Sequence, residues 1–266
     1  MATITFFHAH PDDEAIATGG TMAKMAADGH RVILVTATRG ELGEVPEGFL
    51  SPGETLAERR TAELAAACAV LGVARHEFLD YGDSGMVGEP TNNDPGCFWQ
   101  ADVDEAAKRL SDILQSEKAD VLTAYDENGN YGHPDHIQVH RVGLRAGEMA
   151  GVPRVFMATV NRDYLKRLTE TPDGAALLDA SEEERPAIDN LGVGEERITT
   201  AVDVSAFLDR KRRAMEAHAS QISETSFFLS MPPEAFADVW GQEWYVRVGA
   251  RPTQPFESTL LAGEPR

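Results

Sequence analysis

The 266-residue chain reads as an α/β protein: a Rossmann-like parallel sheet flanked by helices, followed by a smaller C-terminal α+β portion. Three observations predict this. Short apolar runs, of the kind a strand buried on both faces needs, recur at Ile4–Phe7, Arg31–Ala37, Asp120–Ala124 and Arg154–Val160. Segments of helical periodicity separate them and end at glycine caps such as Gly29 and Gly72. Strands alternating with helices demand parallel pairing through right-handed crossovers.

The elements follow in order. A first strand runs to His8, Pro11 stops it because it donates no backbone hydrogen bond, and a helix follows from Glu14. Ala15–Asp28 carries Ile16, Met22, Met25 and Ala26 at near-helical spacing. Arg31–Ala37 is the second strand, Arg39–Gly53 a Gly-, Pro- and Glu-rich loop, Glu54–Leu71 a helix, and Glu77–Asp80 a short strand. Tyr81–Gly96 is a polar loop long enough to suggest function. Ala101–Ser116 is helical, Asp120–Ala124 a buried strand, and Pro134 suits the first position of a helix over Asp135–Gly147. Beyond Arg154–Val160 the pattern weakens. Asn161–Thr200, with TPDG, SEEERP and LGVGEE, reads as a surface insertion holding one helix; Ser205–Ser220 is an amphipathic helix and Glu243–Val248 a late strand. The division this suggests is a catalytic core over 1–160 and a C-terminal portion, 161–266, that packs on it and shapes the pocket.

Composition excludes several classes. Apolar content of 42% suits a globular protein. A balance of 24 basic against 44 acidic residues, net −20, repels phosphate backbones and anionic membranes, so neither nucleic acid nor membrane is expected as a partner. No apolar run approaches ~18 residues, no basic and apolar leader opens the chain, and Cys68 and Cys97 build no disulfide framework. The expected setting is the cytoplasm. Oligomeric state is not encoded legibly.

Chemistry concentrates in two turns. TITFFHAHPDDE, Thr3–Glu14, delivers His8, His10, Asp12 and Asp13 at a strand's carboxyl end, where open α/β sheets bind ligands. YDENGNYGHPDHIQVH, Tyr125–His140, repeats that chemistry at another strand end. His8 and His10 share a strand face, and the adjacent Asp12 and Asp13 can point differently, one toward a cation and the other toward the water it acidifies. Asp before a helix is also a common cap, but two histidines, two aspartates and a glutamate within seven residues exceed what a cap needs. His133 and His136 lie i, i+3 and His136 and His140 i, i+4, so spacing leaves open which pair meets metal. If the turns share one divalent ion, His136 must lie within about 6 Å of the Asp13 carboxylate.

Sharper motifs fail. Asp126-x-Asn128-x-Asn130 starts like a calcium loop but has Tyr131 and Ile137 where Gly and Glu belong. Gly82–Met86 is one glycine short of a nucleophile elbow, Gly192-Val-Gly194 lacks the third glycine of a dinucleotide loop, and HExxH is absent.

HAHPDDE with HPDH resembles the zinc-dependent N-deacetylases of the LmbE/PIG-L type, which act on N-acetylglucosamine (GlcNAc) groups. RGELGEV, RTAEL, DSGM, YDENGNYGHPDH and AHASQ (Ala217–Gln221) are similar to the mycothiol branch, with its GlcNAc-inositol deacetylases and mycothiol S-conjugate amidases. The resemblance implies that His10, Asp13 and His136 hold the metal, zinc with ferrous iron as the alternative. It makes Asp12 the general base, His133 a general acid or oxyanion stabiliser oriented by Asp135, and Tyr131 a carbonyl polariser. Arg60, Asp83 and Glu44 would bind sugar or inositol hydroxyls. The substrate implied is a small-molecule amino sugar, GlcNAc-inositol first; an S-conjugate amide or a glycosylated natural product is the alternative. Outside the class stands a carbohydrate- or metal-binding protein without turnover. Asn130 departs from the family pattern, which has glycine before the tyrosine.

Overall fold

The computed structural model describes residues 1–170 and 187–262. Its strands are β1 (Thr3–His8), β2 (Arg31–Thr36), β3 (Arg75–Phe78), β4 (Val121–Tyr125), β5 (Arg154–Thr159), β6 (Thr200–Asp203) and β7 (Gln242–Arg247). They form one sheet in the order β3-β2-β1-β4-β5-β7-β6. The first five pair in parallel, as the alternation of strands and helices predicts. β7 joins β5 antiparallel and β6 joins β7 antiparallel, so the sheet is mixed. Four-residue β6 carries too short a pattern to be read from sequence.

The main helices are α1 (Gly19–Ala27), α2 (Leu56–Leu71), α3 (Val103–Glu117), α4 (Gly129–Gly132), α5 (Pro134–Ala150), α6 (Arg162–Thr169) and α7 (Leu208–Ala217). Ile4, Phe6, Val32–Val35, Val121 and Leu122 in the strands meet Met22, Leu64, Leu110, Val139 and Val142 from the helices in one fully buried core. α2 starts where the alternating loop ends because Thr55 and Glu58 form a reciprocal capping box, and it stops at Gly72, whose φ is +81°.

Several boundaries differ from the expectation, three of them for a visible physical reason. β3 begins two residues earlier, because its register with β2 runs from Ile33–Arg75 to Thr36–Phe78 and Asp80 leaves the ladder at φ +60°. Glu14–Thr18 is a wide π-helical turn ahead of α1. α7 ends at Ala217, before Ser220, because His218 and Ser220 turn inward to buried glutamates. Of the Asn161–Thr200 insertion, TPDG and SEEERP lie outside the described residues, while α6 precedes them.

Candidate metal and catalytic site

β1 and β4 are neighbours, yet β1 leads to β2 on one side of the sheet and β4 to β5 on the other. This strand-order reversal opens a crevice beyond their carboxyl ends. Both sequence motifs sit there.

The first turn is held by its own carboxylates. Asp13 Oδ2 accepts the His10 N–H at 2.8 Å, and Glu14 Oε2 accepts the Asp12 N–H at 3.0 Å. Asp12 is thereby kept at φ +116°, a region costly for a non-glycine residue. Asp13 occupies the helix N-cap position but makes no cap hydrogen bond; its carboxylate faces the histidines instead. Nε2 of His136 lies 3.3 Å from Asp13 Oδ1, and Nδ1 of His10 lies 3.5 Å from Asp13 Oδ2. Two ligands about 2.05 Å from one tetrahedral ion stand about 3.3 Å apart, so the spacing suits a shared cation.

Donor chemistry points the same way. His136 is buried, and neither of its ring nitrogens finds a hydrogen bond. His10, His133 and His136 bring ligand atoms within 4.8 Å of one another, as do His10, Asp83 and Asp135. In the second group the carboxylates have other work. Asp83 accepts N–H groups of Leu42 and Gly85, and Asp135 Oδ2 accepts that of Ser84 and stands 3.2 Å from His10 Nε2. A carboxylate on the far nitrogen of a metal-binding imidazole fixes its orientation and tautomer. The residues present therefore fit one divalent ion held by two nitrogens and one oxygen.

The remaining histidines separate cleanly. His8 is spent inside the fold, on the Tyr125 hydroxyl and Thr18 Oγ1, and burial pushes its pKa down to about 4. His140 Nδ1 bonds the Tyr125 carbonyl. His140 is thereby committed to the fold, while the rings of His133 and His136 lie 4.7 and 5.3 Å from that of His10.

Electrostatics differ sharply between neighbours. Burial raises Asp12 to about 6 against the pull of Arg60, whereas His136 and His10 outweigh burial and hold Asp13 well below the usual carboxylate range. Burial alone would lower His10, but the carboxylates of Asp13, Asp135 and Asp83 raise it. Burial, with His10 and His136 nearby, lowers His133 to about 3, so its ring is neutral at pH 7. Its Nδ1 accepts the Asp135 backbone N–H at 3.1 Å, which leaves the ring proton on Nε2. Asp135 thus orients His133 through its main chain, and its carboxylate serves His10. Tyr131, edge-on to His136 at 4.8 Å and 36% exposed, is kept protonated by burial and the Asp13 carboxylate.

Of the other candidates, Arg60 and Asp83 reach the site. Arg60 is 4% exposed, with Nη1 donating to Gly40 O and Nη2 to Pro11 O and Asp12 Oδ2. Glu44 lies on an exposed loop, joined through its carbonyl to Gln221. Sequence reasoning assigned no role to His218, whose Nε2 lies 2.6 Å from Glu14 Oε1, or to Glu63, which binds Ser220. The AHASQ segment was the available signal; nothing in it specified a buried carboxylate partner.

Residues 5–147 match the family described as GlcNAc-PI de-N-acetylase. The chain is 44% identical to a 1D-myo-inositol 2-acetamido-2-deoxy-alpha-D-glucopyranoside deacetylase of Acidothermus cellulolyticus, covering 92% of this chain and 88% of that one. A protein of the same name in Thermomonospora curvata is 41% identical, with 98% and 97% covered. Among solved structures, 4-carboxy-2-hydroxymuconate hydratase from Pseudomonas putida superposes with a TM-score of 0.62 at 20% identity, over 96% of this chain and 99% of that one. A hydratase on the same fold means the architecture alone does not name the reaction. The sequence relationship does: this chain belongs to the GlcNAc-PI de-N-acetylase family.

Proposed function

We propose that this protein is a metal-dependent amide hydrolase that removes the N-acetyl group from a GlcNAc-bearing small molecule, with GlcNAc-inositol as the first substrate. The observation that carries the substrate is near full-length identity of 40–44% to relatives named as deacetylases of that pseudodisaccharide. Zinc suits three protein ligands with an open fourth position, and ferrous iron is the alternative. Buried free Cys68 and Cys97 suit a reducing cytoplasm. Among the described residues no helix is long and apolar enough to cross a membrane.

In this reading His10, Asp13 and His136 hold the ion. When bound, it acidifies water and polarises the acetyl carbonyl. Asp12, the one carboxyl here lifted toward neutrality, takes the proton from the attacking water and returns it to the leaving nitrogen. Arg60 keeps Asp12 aimed. The Nε2–H of neutral His133 and the protonated Tyr131 hydroxyl donate to the oxygen that gains charge. Residues 1–160 form the catalytic core. The remainder, 161–266, shapes the pocket, a role supported by the reach of residues 218–221 to Glu14, Glu63 and Glu44.

An assay for free amine released from GlcNAc-inositol, with and without chelator, tests this. Chelator-sensitive release supports it. Release only from a mycothiol S-conjugate amide or a natural-product glycoside moves the substrate within the class. Binding without any release leaves the non-catalytic reading.

A further inference from the structure

The turn carrying Tyr131 is bolted down by residues outside the proposed ligand set, and Asn128, Asn190 and Gly192 among them line one cavity with Tyr131. Asp126, fully buried at the end of β4, accepts with Oδ1 the N–H groups of Asn128 and Asn130, each at 3.0 Å. Its Oδ2 accepts the Thr159 hydroxyl at 2.5 Å. Asn130 stands at φ +67° and ψ −44°, in a region that L side chains rarely adopt. With its amide oxygen and nitrogen exchanged, the only orientation that sets a donor against the acceptors around it, the nitrogen donates to Asp126 Oδ2 at 3.1 Å and to Ala158 O at 3.2 Å. Its carbonyl accepts the Gly192 N–H at 2.8 Å, and the Asn128 amide reaches Asn190 O at 2.9 Å. Gly192 can fill that place only without a side chain, since a Cβ there would meet Val160 O at 2.1 Å.

From this we infer that Asn130 is a positioning residue: with Asp126, Thr159 and the 190–192 segment it presets Tyr131 beside His136 before substrate arrives. A glycine at 130 would satisfy the backbone angle at no steric cost. Asparagine satisfies it as well and adds two side-chain hydrogen bonds to fixed parts of β4 and β5. The strained angle is thus tied to the sheet from both flanks. Tyr131 follows directly, its ring edge-on to those of His133 and His136.

The inference rests on Tyr131 acting in the proposed hydrolysis, and one substitution tests it in two independent ways. Asn130→Gly keeps the backbone angle and removes the amide. Backbone hydrogen exchange at positions 130 and 132 is expected to speed up by about tenfold or more in this variant, on the loss of the two amide hydrogen bonds, while β4 stays protected. In turnover, kcat is expected to fall about tenfold to a hundredfold, the scale of a misplaced catalytic group, with KM changed less than about twofold. In a Tyr131→Phe background the same substitution is expected to change kcat less than about twofold, because its effect passes through the hydroxyl. Unchanged exchange, or an equal loss of kcat in the Tyr131→Phe background, overturns the inference. Should the unaltered protein release no amine, the deacetylase reading fails by itself, and the exchange arm still decides whether Asn130 holds the turn.

Discussion

Nη2 of Arg60 lies 3.1 Å from Asp12 Oδ2 while also donating to Pro11 O at 2.5 Å, so one buried guanidinium grips both the proposed base and the turn that presents it. Removing it acts twice on Asp12. Burial raises the carboxyl and Arg60 opposes that rise, so Arg60→Met should move the acid limb of kcat/KM to higher pH than in the unaltered protein. The base must be ionised to work, hence the loss should be larger at pH 6 than at pH 8. A bound cation lowers both limbs without changing the order of the variants. Breaking a buried pair from one side should also cost about 3 kcal/mol of stability, read by denaturant unfolding.

Asp12→Asn keeps the shape of the side chain and removes the base. Amine release should fall by about 10²–10⁴-fold with metal content unaltered, measured on one preparation by turnover and elemental analysis. Full activity in this variant would remove Asp12 from the mechanism.

Tyr131→Phe retains the ring against His136 and removes one donor to the charged oxygen. The expected loss in kcat is about tenfold to a thousandfold, the range for a single oxyanion donor, with KM little changed.

His218 and Glu14 are both fully buried and 2.6 Å apart, and Glu14 also fixes the Asp12 N–H. Burial opposes ionisation of each, but the partners outweigh it, lowering Glu14 from 4.5 and raising His218 from 6.5. For the lowered carboxyl, the stabilisation is complete above pH 4.5 and lost as pH falls through its folded value. For the raised imidazole, it is complete below pH 6.5 and lost as pH rises through its folded value. The difference in unfolding free energy between the protein and His218→Ala should therefore be greatest between pH 4.5 and 6.5 and shrink on both sides. A difference independent of pH would mean that the pair is not ionised.

The parallel half of the sheet and the two motif-bearing turns were legible because apolar runs, caps and Pro11 act locally. Meeting of the turns followed from the rule for strand carboxyl ends. Other features required tertiary contact. β6 is four residues long, and its pairing comes from β7 far along the chain. Asp135 was expected to direct His133, yet side chain and main chain of one residue serve two histidines, which spacing cannot reveal. Glu14 was legible only as part of the acidic and histidine cluster, because its partner His218 lies 204 positions away. Asn130 showed as a departure in sequence, and its positive φ gives the physical reason why glycine or asparagine stands there.

The most direct test is the metal content of the purified protein beside that of His136→Ala, both measured after equal exposure to zinc and removal of excess. If His10, Asp13 and His136 hold one ion between two turns, the unaltered chain should carry about one equivalent and the variant almost none, with the fold retained by circular dichroism. Equal metal in the two proteins would contradict a shared ion in this crevice, and with it the hydrolytic mechanism.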